Sequence, residues 1–221
     1  MSRFGVSDGD RSDLGQRAKK QLRARMRATR RALPIPAVLA RSARIIAALR
    51  RIEAFESARS VGLFWPIEAH GEVDLRALDQ ALAERGVARY YPFMDPKPGG
   101  FSTGFRRIEE AEQLQLRGQK FAEPPRDAKR AERGDIDVVL VPALAITPEG
   151  HRLGHGLGYY DATLPDVAPP ALTIALAFSF QLLAELYVEP HDVACDAVVT
   201  DTEIFDAKGA LRAWVPPPAY P

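Results

Sequence analysis

Residues 136–161 read IDVVLVPALAITPEGHRLGHGLGYYD. A β-branched apolar run, Ile136 to Val141, leads into a segment with glycines at 150, 154, 156 and 158, and helix formers resume only at Tyr159. Strand, glycine loop, helix start is an order in which α/β proteins bind phosphate. Glycine lets backbone N–H groups approach an anion, and the positive end of the next helix favours negative charge there. Arg152 and His155 add side-chain donors. The spacing G-x-G-x-G is neither the dinucleotide fingerprint nor the Walker pattern, and the same glycines also suit a tight loop that needs positive φ. Asp161, about one helical turn past the last glycine, is placed either to hold a magnesium ion bridging bound phosphates or to complement the helix dipole.

Apolar runs of strand length recur on both sides of this segment. Leu172–Ala177 and Asp196–Thr200 follow it, separated by helical patterns around Tyr159–Leu164 and Phe180–Leu186. Upstream, Ser60–Trp65 reads as a short buried strand, Asp74–Arg85 as a helix with Asp74 at its cap and Gly86 past its end, and Val87–Tyr91 as another strand. Pro92–Gly104 reads as a Pro/Gly-rich loop before a weak strand near Phe105. The alternation predicts an α/β fold, a single-domain three-layer arrangement with a mostly parallel sheet and helices on both faces. Asp196, opening the last strand, is a strand-edge residue or a second carboxylate brought to the crevice where such folds bind ligands.

With 221 residues, 46% apolar and 27% charged, the chain has material for one core and lacks the bias of disordered or fibrous sequences. Its one cysteine, Cys195, excludes an internal disulfide and a Cys-based zinc site, which fits a reducing, cytoplasmic location. The longest apolar run, Val138–Ile146, falls far short of the ~20 residues that span a bilayer. The first seventeen residues carry Asp8, Asp10 and Asp13 and no apolar segment, unlike secretory or transit peptides. The expected organisation is a flexible tail over 1–15, one domain over 16–215 and a Pro-rich tail over 216–221.

The net charge of +1 hides a segregation: residues 14–52 hold twelve Lys and Arg and no acid, leaving 18 basic residues against 29 acidic ones elsewhere. Within QRAKKQLRARMRATRRAL, Ala18, Leu22, Met26, Thr29 and Leu33 form one apolar helical stripe, and Lys19, Arg23 and Arg27 the neighbouring row. Pro34 and Pro36 end this helix, and a second follows over roughly 37–51. The cations are a solvated face or a surface for an anionic partner. The run lacks interleaved aromatics and the rest of the chain is acidic, which disfavours nucleic acid and leaves a small phosphorylated ligand. His151 and His155 are four apart, like paired zinc ligands, but Gly154 interrupts and no third ligand is evident; His70 and His191 support no site.

The block RLGHGLGYYD (152–161) resembles the signature R-L-G-x-G-x-G-Y-Y-D of the 5-formyltetrahydrofolate cyclo-ligases, also called 5,10-methenyltetrahydrofolate synthetases. AKKQLRARM (18–26), GEVDLRAL (71–78), FAEPP (121–125) and VEPHDVACDAVVTD (188–201) resemble further pieces of that family in the same order. The resemblance implies a cytoplasmic ligase of one-carbon metabolism. With ATP and Mg2+ it would convert 5-formyltetrahydrofolate to 5,10-methenyltetrahydrofolate, releasing ADP and phosphate through phosphorylation of the formyl oxygen. It implies that Lys19, Lys20 and Arg23 reach the ATP phosphates. Arg152, Leu153, Gly154, His155, Gly156, Leu157, Gly158, Tyr159 and Tyr160 would form the phosphate loop, with Arg152, His155 and Asp161 in catalysis. Asp161 and Asp196 would hold magnesium, and Glu72 and Tyr160 the folate. Phe64, Trp65 and Tyr160 are either core or a platform for the pterin. Two positions depart from the family pattern: Leu157, where Gly or Lys is common, and His155, where relatives often carry a basic or aromatic residue. The expected partners are small molecules, bound by a monomer, with no nucleic acid and no membrane. The alternative is a non-catalytic nucleotide- or folate-binding protein on the same scaffold.

Overall fold

A computed structural model describes residues 8–116 and 121–211. In chain order it holds α1 (Asp8–Arg31), α2 (Ile35–Leu49), a single turn α3 (Glu53–Glu56), β1 (Ser60–Gly62), α4 (Arg76–Glu84), β2 (Ala88–Lys97) and β3 (Gly100–Ile108). The short β4 (Gln115–Leu116) and β5 (Ala122–Glu123) precede β6 (Val138–Pro142), β7 (Ala145–Ile146) and β8 (Arg152–Leu153). Then come α5 (Tyr159–Val167), β9 (Leu172–Leu176), β10 (Ala197–Val199) and β11 (Ile204–Asp206).

Seven strands form one sheet in the order β11-β10-β9-β6-β1-β2-β3. The five inner strands are parallel, and β3 and β11 close the two edges antiparallel. The chain enters at β1, steps to β2 on one side, then returns to build β6, β9 and β10 on the other. This reversal leaves a crevice between the carboxyl ends of β1 and β6, the place where open α/β sheets take ligands.

The β-branched runs are buried on both faces, as parallel strands must be when helices cover each side. Val138 and Leu140 of β6 pack with Ile45 and Leu49 of α2 and Leu78 and Leu82 of α4. Val139 and Val141, one residue out of phase, pack with Leu164 and Val167 of α5 on the opposite face. The chain is thus a single three-layer α/β domain. Among the described residues no single helix is long and apolar enough to cross a membrane.

Three local expectations are corrected. Pro92–Gly104 is not a loop: it lies in a hairpin paired from Arg89↔Ile108 to Lys97↔Gly100. The Met94 amide points away from β3, to the Glu123 carboxylate at 2.9 Å. Pro92 and Pro96 share its parity, so the donors they lack are not ones the β2–β3 ladder uses. Phe180–Leu186 holds only one 3-10 turn, Ser179–Gln181. The Gln181 side chain accepts from the Phe178 amide and donates to the Ala143 and Leu144 carbonyls, and Leu183 N–H bonds Ile146, so the chain runs extended along β7. At the amino end, α1 begins at Asp8, so residues 8–15 are helical rather than tail. A Cβ on Gly15 would meet the Tyr187 ring at 2.4 Å. The Pro-rich stretch 216–221 lies outside the described residues.

Asp201, just past β10, ties α2 to the sheet. Its carboxylate accepts from the Ser179 amide at 2.6 Å and pairs with Arg41 and, at 3.3 Å, Arg44. Burial pushes its pKa up, but the Ser179 N–H and the Arg41 charge outweigh this and hold it below the ordinary carboxylate value. A carboxyl that ionises more readily when folded stabilises above its unfolded pKa, and that stability is lost as pH falls through the folded one. We expect Asp201→Asn to cost about 1–3 kcal/mol at pH 7. The gap to the unaltered protein narrows in urea titrations as pH drops below about 4.

Candidate active site

The crevice at the switch point is a cleft of about 820 Å³. Phe64 and Trp65 follow β1 into it, Pro142 ends β6 beside it, and Pro92, Met94 and Phe121 form the wall on the β2 side. Helix α1 lies across its mouth. Leu22 and Met26 seat on Leu144, Ala145 and Leu153 of the β7–β8 hairpin. The adjacent helical row, Lys19, Arg23, Arg27 and Arg31, therefore faces the cleft, each cation one turn from the next.

At one end of the cleft stands the glycine loop between β8 and α5. Arg23 Nε donates to the Gly154 carbonyl at 3.1 Å and Arg27 to that of His155 at 2.8 Å, so α1 holds the loop by its backbone. Gly156 and Gly158 have φ of 100° and 64°, and Gly158 is the N-cap of α5. Arg152 donates to the Val193 carbonyl and to Asp161 Oδ1, the latter at 2.7 Å. The same Asp161 oxygen accepts the Val193 amide at 3.1 Å, which brings the neighbouring Asp192 to the same end. Lys19 Nζ lies 2.8 Å from Asp192 and 2.7 Å from Glu189. Burial alone would lower the Lys19 pKa, but its two acid partners raise it above the usual lysine value. The Lys19 bond holds Glu189 below the ordinary carboxylate value, and it overcomes burial to do the same for Asp192.

At the other end sits Glu72, whose side chain is 5% exposed. Its Oε1 meets Arg30 at 3.3 Å and His155 Nε2 at 3.1 Å, and its Oε2 accepts the Ile67 amide at 3.0 Å. Burial opposes ionisation, yet the His155 hydrogen bond and the Arg30 charge hold the carboxyl below its ordinary value. The His70 ring stacks on His155 with centroids 5.5 Å apart. Glu72 reaches this position because Gly71 turns with φ 58°, its missing Cβ 2.6 Å from the Arg30 carbonyl. Gly71→Ala should therefore cost about 1–3 kcal/mol through left-handed backbone strain and displace Glu72 from Arg30. Thermal melts will read the loss.

The family model of the 5-formyltetrahydrofolate cyclo-ligase family matches residues 15–201. The chain belongs to that family. It is 49% identical over 79 residues to a 5-formyltetrahydrofolate cyclo-ligase of Mycolicibacterium smegmatis, a match spanning 35% of this chain and 41% of that protein. It is 30% identical over 154 residues to the Escherichia coli K12 enzyme of the same name, spanning 67% of this chain and 81% of the other. The NMR structure of Aquifex aeolicus 5,10-methenyltetrahydrofolate synthetase superposes with a TM-score of 0.73 at 28% identity, over 86% of this chain and 93% of that one.

Of the residues that the cyclo-ligase resemblance nominated, Lys19, Arg23, Glu72 and the run Arg152–Asp161 all line the one cleft. Two do not. Lys20 is exposed and outside the cleft lining, because one step along a helix turns a side chain by about 100°. Asp196 lies at the amino end of its parallel strand, away from the carboxyl-end crevice. Its Oδ2 accepts the Thr173 amide at 2.9 Å and the Thr173 hydroxyl at 2.7 Å, and its Oδ1 pairs with Lys208 at 2.9 Å. The late carboxylate that shares the cleft lining with Asp161 is Asp192, four residues earlier. Nothing in the local sequence favours one of these acids over the other; only the path of the chain from Glu189 to Cys195 does. The sequence assigns His70 no site and singles out neither Glu189 nor the pairing of His155 with Glu72, whereas the structure sets all of them in the cleft lining. Leu157, at the loop tip, is 63% exposed.

Proposed function

We propose that this cleft binds 5-formyltetrahydrofolate and Mg-ATP side by side and carries out the family's reaction between them. The observation that carries this reading is the His155–Glu72 hydrogen bond, 3.1 Å long, in which a residue of the glycine loop touches the buried carboxylate at the opposite end. A nucleotide on the loop and a pterin on Glu72 would therefore abut, which in-line phosphoryl transfer requires.

In this reading the Lys19, Arg23 and Arg27 cations and the N-terminus of α5 take the triphosphate. Glu72 accepts hydrogen bonds from pterin N–H groups, with Phe64, Trp65 and Tyr160 beside the ring system. The formyl oxygen attacks the γ-phosphorus and ADP leaves. The formyl carbon, now carrying a phosphate leaving group, is attacked by the neighbouring secondary amine; that nitrogen loses its proton, the C–O bond to phosphate breaks, and the five-membered ring closes as the methenyl cation. No protein nucleophile is needed, and the chain's part is to position and to neutralise charge.

Asp161 and Asp192 offer hard, partly exposed oxygen donors suited to Mg2+, which tolerates several retained waters. Bound there, Mg2+ would supply positive charge to the triphosphate. Lys19 then exchanges its two acid partners for phosphate, and Arg152 keeps Asp161 oriented. The same reading makes the chain a cytoplasmic monomer acting on small molecules, without nucleic acid or membrane as partners.

The test is the absorbance of 5,10-methenyltetrahydrofolate after purified protein meets 5-formyltetrahydrofolate, with and without Mg-ATP. Formation that needs Mg-ATP and matches phosphate release one for one is the expected result. No formation while ATP still binds would make the chain a non-catalytic binding protein.

A further inference from the structure

Two histidines that lie 85 positions apart in the sequence share the Glu72 end of the cleft. His70, Glu72 and His155 each present a ligand atom, and the three atoms lie within 4.8 Å of one another. The His155 and Glu72 atoms are already 3.1 Å apart, and the two imidazoles stack at 25°. Neither imidazole is required by the phosphoryl-transfer chemistry, which uses oxygen donors and cations. We propose that His70, Glu72 and His155 form a site for a transition-metal dication of the zinc or cobalt class, distinct from the magnesium carboxylates at the other end.

The donor chemistry selects the metal. Two imidazole nitrogens and one carboxylate oxygen suit Zn2+, Co2+ or Cu2+, whereas Mg2+ demands oxygen and water. Three protein ligands leave a fourth position open to the cleft, the arrangement of an accessible rather than a closed zinc site. Metal–ligand bonds of ~2.0–2.1 Å place tetrahedral ligands about 3.4 Å apart. The set therefore needs only a small inward shift of His70, which is half-buried at the end of the short turn Glu68–His70. One His70 ring nitrogen, Nδ1, is buried without a hydrogen-bond partner.

Glu72 has room for the metal while keeping Arg30 and the Ile67 amide, because a carboxylate offers about four lone-pair sites. His155 would present Nε2 to the metal with its ring proton on Nδ1. Arg27, Arg30 and Arg31 stand nearby and repel a dication, which makes this a site filled at raised metal rather than a permanent one. If the proposed folate reading holds, the metal and the pterin compete for Glu72, and a zinc-class ion becomes an inhibitor relieved by folate.

The experiment titrates Co2+ into the metal-free full-length protein without substrates and follows its visible d–d absorption. One bound equivalent is expected. His70→Gln and, independently, His155→Gln should each weaken binding by at least about 10-fold, the lower end of what even outer partners of a metal contribute. His191→Gln, in the other His/acid group with Glu189 and Asp192, should leave it unchanged. Equal affinity in the unaltered protein and both Gln variants, or a loss confined to His191→Gln, overturns the proposal; circular dichroism melts confirm that each variant is folded. A second arm measures Zn2+ inhibition against folate concentration. Co2+ bound by these residues without zinc competing against folate would overturn the folate reading of Glu72 and leave the metal site standing.

Discussion

Asp161→Asn is expected to lower Mg-ATP-dependent turnover by about 10²–10³-fold, the usual loss when one preorganised charge is removed from a reacting centre. The substitution keeps the side chain's shape and an oxygen to accept the Val193 amide, so the loop remains folded. What disappears is the charge that faces Arg152 at 2.7 Å, in the same cleft lining as Asp192. Folate affinity should be nearly unchanged, since Glu72 lies at the other end of the cleft. A steady-state series in Mg-ATP at saturating folate measures the effect, and turnover within threefold of the unaltered enzyme would remove Asp161 from the reaction.

Glu72→Ala is expected to act on the fold and on folate together. Arg30 is 2% exposed, and Glu72 is its ion-pair partner at 3.3 Å. Truncating one member of a buried pair strands the other charge and costs about 3–5 kcal/mol. For a chain of this size that lowers the melting temperature by about 10 °C. Folate binding should weaken strongly while ATP binding persists, because the loop loses only its His155 bond and keeps its anchors to Arg23 and Arg27. The paired variant Arg30→Met/Glu72→Met separates the two effects: it removes both charges, so it should recover stability but not folate binding. A thermal melt and a folate titration of the double variant decide the assignment.

Much of this architecture is legible in the chain because local pattern and global packing agree. Val138–Val141 and Leu172–Ala177 carry no charged residue, and they become β6 and β9 with neighbouring residues buried on opposite faces. Leu22 and Met26 of the expected stripe mark the packed side of α1 and the row beside them the cleft side, whereas Ala18 and Thr29 of that stripe are exposed. The hairpin of β2 and β3 was hidden because its prolines sit where the ladder needs no donor, a fact of register that composition does not carry.

The candidate site divides in the same way. Its contiguous part, 152–161, is a local motif that one stretch of chain displays in full. Its non-contiguous part depends on which residues distant loops bring together. Asp192 rather than Asp196 joins Asp161 because one backbone amide, that of Val193, anchors the segment. His70 joins His155 because Gly71 lets a short turn pass against the last turn of α1. Neither event leaves a periodic signal.

The way α1 is held has a consequence for motion. Both sheet faces are sealed by large clusters, whereas the apolar stripe of α1 rests on a small third one around Met26, Leu144, Ala145 and Leu153. Segments with few apolar contacts open at lower free energy than the core. In deuterated buffer the amides of α1 should exchange well before those of β6 and β9. Ligands that engage the cations of α1 from within the cleft would slow its exchange without touching the sheet.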